Sequence, residues 1–172
     1  MRGRLALLLV AMLSCKHDLD ADYTKRNLVE RTVVISAFGA SVKVRAKLPE
    51  GLEPSARSPS WFEPAQAHAA PSVHFDLRDA ASAPKTAQEA FVVYGRAGAY
   101  VSHDLDDGFV LTNTDSNYYT NAIRRFPAMQ APSGVPLVVA CEVEYRDASA
   151  LGREKELVRW MERICTDATI VR

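Results

Sequence analysis

Cysteine is scarce in this chain: there are three, Cys15, Cys141 and Cys165, in 172 residues. None lies within a few residues of another, so a Cys-x-x-Cys redox or zinc motif is excluded, and no histidine sits near Cys141 or Cys165 in sequence to complete a metal set. Net charge is also missing. Lys and Arg number 21 against 21 Asp and Glu, which leaves no concentrated basic face for a phosphate backbone, and nucleic acid is not an expected partner. Arg124–Arg125 and the basic residues near the C-terminus are isolated or interleaved with acids, and read as solvated surface. No apolar run reaches the ~20 residues a membrane-crossing helix needs. There is no Gly-x-Ser-x-Gly nucleophile turn. Gly95 and Gly98 lack the spacing and the following Lys of a phosphate-cradling loop. Internal repeats and long low-complexity tracts are absent too, and the length supports one domain with a real core.

What is present starts at the front. "MRGRLALLLVAMLSC" has a basic start at Arg2 and Arg4, an apolar segment from Leu5 to Leu13, and Ser14 before Cys15. The apolar segment has the size of a signal-peptide core. A buried N-terminal helix is the competing reading, but nothing polar patterns the run. The small residue before Cys15 resembles the lipobox of bacterial lipoproteins, in which a peptidase cuts before a cysteine that carries diacylglycerol. Met12 and Leu13 stand where that family has Leu and a small residue. The resemblance implies a signal peptide over 1–14, lipidation at Cys15, a polar lipid-anchored tether over 15–27 ("KHDLDADYTKRN" from Lys16), and a globular domain over 28–172. Thiol chemistry suits the role, and two or more buried chains hold firmly where one does not.

The last third, "PLVVACEVEYRDASALGREKELVRWMERICTDATIVR", reads as strand, turn, helix and closing strand. Apolar residues alternate with Glu142, Glu144 and Arg146 in the strand. Leu151, Leu157, Val158, Trp160, Met161, Ile164 and Cys165 recur at helical spacing, with Asp147 or Ser149 available as cap and Gly152 weakening the first turn. Cys141 and Cys165 both fall on apolar faces, and a helix folded back on its strand would bring them together. In an oxidising compartment a disulfide is expected; two buried free thiols are the alternative.

Between these ends, Leu28–Ser36 and Ser41–Leu48 read as strands, the second with Val42, Val44, Ala46 and Leu48 facing in. Pro49 and Gly51 suit a turn. Residues 53–71, with four prolines, read as a loop that could hold a short strand around Trp61 and Phe62. These two aromatics are core anchors or, less commonly, a ligand platform. "SVHFDLR" is a strand with Val73, Phe75 and Leu77 inward and His74 outward; His17, His68 and His74 are expected to be exposed. Thr86 and Glu89 form a capping-box pattern that opens a helix through "AQEAFVVYG", with a strand at 91–95 as competitor. "AYVSHD" and "GFVLTN" make a hairpin through Asp106, Asp107 and Gly108. "YYTNAIRRF" is a further strand, and "PAMQAPSGVP" a loop. The expected fold is α+β: a mainly antiparallel β-sheet of about seven strands, two helices packed on it, and a C-terminal strand–helix–strand unit.

The one chemical cluster is "SHDLDDG". Ser102, His103 and Asp104 are triad residue types, but strand neighbours point to opposite faces and cannot form a relay. His103, Asp104, Asp106 and Asp107 are candidate metal ligands, though a calcium loop would need further oxygens and a distal Glu. The turn reading is preferred, and no cofactor is expected.

The order of elements resembles the PsbP-like superfamily, on the amphipathic strand into "LPEGLE", the capped "PKTAQEAF", the "DDGFVLT" hairpin and the terminal "ICTDATIV". That resemblance implies a non-enzymatic binding or assembly factor, here lipid-anchored in a bacterial cell envelope, with the domain in the periplasm or at the cell surface. The membrane, through the lipid, and an envelope protein are the expected partners. A small exported metal-dependent hydrolase using the 102–108 turn, or a soluble periplasmic ligand-binding module, are the alternatives.

Overall fold

The computed structural model describes residues 22–65, 71–94, 100–113, 119–146 and 153–171. In chain order these form β1 (Leu28–Ala37), β2 (Ala40–Pro49), β3 (Leu52–Ser55), β4 (Ser58–Pro64), β5 (Ser72–Asp79), α1 (Ala87–Tyr94), β6 (Tyr100–Leu105), β7 (Gly108–Asn113), β8 (Tyr119–Arg125), β9 (Met129–Gln130), β10 (Pro136–Arg146), α2 (Glu154–Thr166) and β11 (Thr169–Val171). The fold is α+β, with two helices among the described residues and every strand pairing antiparallel. One sheet runs β1-β2-β11. The larger runs β3-β4-β5-β10-β8-β7-β6, with β9 added at the start of β10.

Period-two patterning builds both sheets. In β1 and β2, Val33, Ile35, Val42, Val44, Ala46 and Leu48 are buried while Lys43, Arg45 and Lys47 face solvent. Val73, Phe75, Leu77, Val139, Cys141 and Val143 meet them from the large sheet in one core. α2 adds Leu157, Trp160, Met161, Ile164 and Cys165 to that core, residues spaced so that they share one helix face. Tyr145 meets Trp160 edge to face, with centroids 5.8 Å apart. The opposite face of the large sheet has its own smaller core, where Ala87 and Ala90 of α1 pack on Phe109, Ile123 and Ala140. Two layers on one sheet therefore bury both of its faces in different places.

The strand count is higher than the sequence pattern suggests: eleven strands among the described residues rather than about seven. β4 is the short strand allowed around Trp61 and Phe62, while β3 forms where a turn and loop were read and β9 in the loop before β10. Proline is tolerated here because these strands are short or lie toward a sheet edge, where a missing amide hydrogen removes few ladder bonds. The helix at α1 prevails over the competing strand. The Glu89 amide donates to Thr86 Oγ1 at 3.1 Å, and the Glu89 carboxylate accepts from the Lys85 amide rather than closing on Thr86. α2 begins at Glu154 with Arg153 at the cap position and no side-chain cap; Asp147, Ser149, Leu151 and Gly152 lie outside the described residues.

The segment expected to be a tether over 15–27 is packed on the domain from Asp22 onward. A 3-10 turn at Tyr23–Lys25 buries Tyr23, with Arg26 stacked over its ring at 4.3 Å. The Asp22 carboxylate bonds Lys25 at 3.1 Å and Arg153 at 3.3 Å, tying this turn to the start of α2. Burial pushes the Asp22 carboxyl up, but the Thr24 hydroxyl and amide, Lys25 and the Arg153 charge outweigh it and hold the group below its usual range.

Candidate functional site

β4 and β5 pair only at Trp61–His74 and Phe62–Val73. Upstream on β4 the chain has Pro59, which has no amide hydrogen to give a neighbour. The pairing ends at Trp61, and Ser58 to Ser60 have no partner in β5. β1 lies over both strands. The result is a cleft of about 780 Å³, lined by Arg31 to Ser36 of β1, Glu53 and Pro54 of β3, Ser58 to Ser60 and Phe62 of β4, and His74 and Asp76 of β5. One end is bridged by an ion pair, Arg31 Nη2 to Glu53 Oε1 at 3.3 Å.

The chemistry of the lining is mostly neutral. Ser58 and Ser60 share a hydrogen bond at 2.9 Å. Asp76 is paired with Arg78 at 3.2 Å, and Arg78 also reaches Glu142 at 3.1 Å. His74, expected to be exposed, is half-buried and stacks on Trp61 with centroids 4.9 Å apart. Burial lowers its pKa below the ordinary 6.5; the charges of Asp76 and Glu142 oppose this, and that of Arg78 adds to it. Phe62 is a core anchor, 3% exposed, as expected, whereas Trp61 lies half-buried at the cleft's edge. The buried Nε of Arg31 has no hydrogen-bond partner among the described residues.

The 102–108 turn is occupied differently. Asp104 Oδ1 accepts from the Ala87 amide at 2.6 Å, so it caps α1 from across the sheet. Asp107 pairs with Arg124. Arg124, read from sequence as solvated, is three-quarters buried, and its Nη1 donates at 2.8 Å to the carbonyl oxygens of Cys165 and Thr166. It satisfies the open end of α2. Asp106 is exposed in the turn. Nothing is described of the side chain of His103. Among the described residues no three His, Cys, Asp or Glu side chains converge as a metal site. Of the two aspartates with described partners, Asp104 caps α1 and Asp107 pairs with the arginine that satisfies the end of α2.

Cys141 and Cys165 are joined as a disulfide, with Cα atoms 5.6 Å apart. Cys15 lies outside the described residues. No helix among the described residues is long and apolar enough to cross a membrane.

Comparison with protein-family models, curated proteins and solved structures finds no match. The site therefore rests on its own geometry, and its residues were hidden in sequence. Pro59 within "SPSWFEP" was the available signal. A proline marks an interrupted or edge strand, but periodicity alone does not say which third element lies beside it.

Proposed function

We propose that this chain is a non-enzymatic binding or assembly factor, exported and held at a bacterial envelope membrane by lipid on Cys15, and that the cleft between β1, β4 and β5 is where it binds. The observation that carries the reading is the cleft itself: about 780 Å³ of mainly neutral surface, bordered by a strand whose outer edge has no partner strand among the described residues. Pockets of this size are ordinary for ligand and segment binding. The PsbP-like order of elements and the lipobox-like "LSC" support the class and the address. Two aspartates of the 102–108 turn are already engaged, Asp104 by the Ala87 amide and Asp107 by Arg124.

Photo-crosslinking in cells tests the binding role. A photoreactive residue at Ser58, inside the cleft, is expected to give a discrete adduct with one envelope protein. The same group at Lys155, on the exposed face of α2, is expected to give none. Identical patterns from the two positions, or no adduct from Ser58, would count against the cleft as the binding site.

A further inference from the structure

Four strands edge the two sheets. β3 has four residues, contains Pro54 and carries an irregularity at Pro54–Ser55. β11 has three residues. β6 is packed by α1 and tied to it through Asp104. Short length, proline, bulges and cover are the usual guards against stray strand pairing. Among the described residues β1 lies over β4 and β5 but has none of the other guards. It is ten residues long, free of proline, in unbroken register with β2, and uncharged from Thr32 to Ala37. It and its turn also hold three of the four exposed large hydrophobics among the described residues, Leu28, Val34 and Phe38. Phe38 has φ +54, a left-handed conformation that a bulky side chain rarely adopts.

Counting from the closing pair Ala37–Ala40 of the two-residue turn, Ser36, Val34 and Thr32 are the residues whose amides and carbonyls face away from β2. These groups border the cleft. We infer that an extended, charge-poor segment of a partner polypeptide adds as a strand to β1 within the cleft. This rests on the binding role proposed above and names its ligand. Backbone groups repeating every second residue are matched only by another extended chain. The six lining residues of β1, Arg31 to Ser36, span about 17 Å, room for five or six partner residues. The charges on the lining are already paired, Arg31 with Glu53 and Asp76 with Arg78, so a charged segment would be desolvated without a counterion. The exposed Val34 offers an apolar contact to a neighbouring strand.

The test uses the full chain carrying Cys15→Ser and a pool of acetylated hexapeptides with Val, Ile or Phe alternating with Thr or Ser. NMR titration is expected to show saturable shifts at the amides of Thr32, Val34 and Ser36. N-methylation of alternate peptide amides, which needs no change to the protein, is expected to weaken binding at least tenfold. Lys in place of the apolar peptide residues should do the same. Val34→Lys, on an exposed side chain, should weaken it tenfold with the melting temperature unchanged. No saturable binding, shifts away from β1, or indifference to N-methylation would overturn the proposal. So would a concentration-dependent doubling of mass with β1 amides shifting, which would place a second copy on the edge. An adduct from Ser58 that survives any of these failures would leave the binding role standing without strand addition.

Discussion

His74 lies between the cleft and the half-buried Asp76–Arg78–Glu142 cluster, and burial keeps it neutral. As pH falls, the unfolded chain takes up this proton first, near 6.5, and the folded chain only at a lower pH. Stability from this residue is therefore whole above 6.5 and declines with acid across the interval down to the folded value. The urea midpoint of the protein is expected to drop between pH 7.5 and pH 5.5, and His74→Gln is expected to flatten that drop. Equal slopes in the two proteins would show that His74 does not set it. Gly108 is held by a different constraint. A Cβ there would overlap the Ile123 carbonyl oxygen of β8, backbone that cannot swing aside. Asp106 and Asp107 make their turn without positive φ, so close approach, not turn conformation, requires this glycine. Gly108→Ala should cost on the order of 3 kcal/mol, as overpacking does when the neighbour cannot yield, read as a lower denaturation midpoint at unchanged slope.

At the scale of elements, the disulfide joins the middle of β10 to the end of α2, 24 residues apart. Closing a loop of that length removes unfolded-state freedom worth about 3.5 kcal/mol in the chain-entropy model. Reductant, or the pair Cys141→Ala and Cys165→Ala, is expected to lower the melting temperature by roughly 10 °C. A melt unchanged by reductant would mean the bridge contributes nothing. This unit was the most legible part of the sequence, because both its strand and its helix carry strong local periodicity and each cysteine sits on the apolar phase. β2 and β5 were legible for the same reason. β4 was legible only as a short strand around Trp61 and Phe62, and β3 and β9 were not, because such short strands owe their existence to neighbours brought by the fold rather than to pattern. The same limit applies to Arg124. Its position next to Arg125 suggests surface, yet its role is to hold the carbonyls of a helix end 41 residues later. Asp104 likewise meets Ala87 only across the sheet, and its residue type suggested a ligand where the fold needed a cap. The cleft was least legible, since it exists only where three strands distant in sequence meet.

The whole molecule has a direction. Arg26 Nη1 donates to the Glu50 carbonyl at 3.4 Å, which places the turn at Tyr23–Lys25 at the Pro49 end of the β1–β2 hairpin. Phe38 and Gly39 form the other end, a ten-residue strand away, about 33 Å. The Arg31–Glu53 ion pair lies nearer the first end, while Ser36 lines the cleft nearer the second. On the lipid-anchored reading, Cys15 and Asp22 are seven positions apart, and a chain of that length reaches at most about 25 Å. The domain would then be tethered through the end of the hairpin opposite the exposed Phe38. Two sources of membrane attachment thus make opposite predictions. If lipid on Cys15 is the anchor, Cys15→Ser moves the protein to the soluble fraction, leaves its melting temperature unchanged, and Phe38→Ser has no effect on fractionation. Intact mass of the membrane-extracted wild type should show a chain beginning at Cys15, carrying acyl groups, and two protons lighter than its reduced form. Retention of Cys15→Ser on membranes, with release by Phe38→Ser, would assign attachment to the hairpin tip instead and remove the lipid from the account.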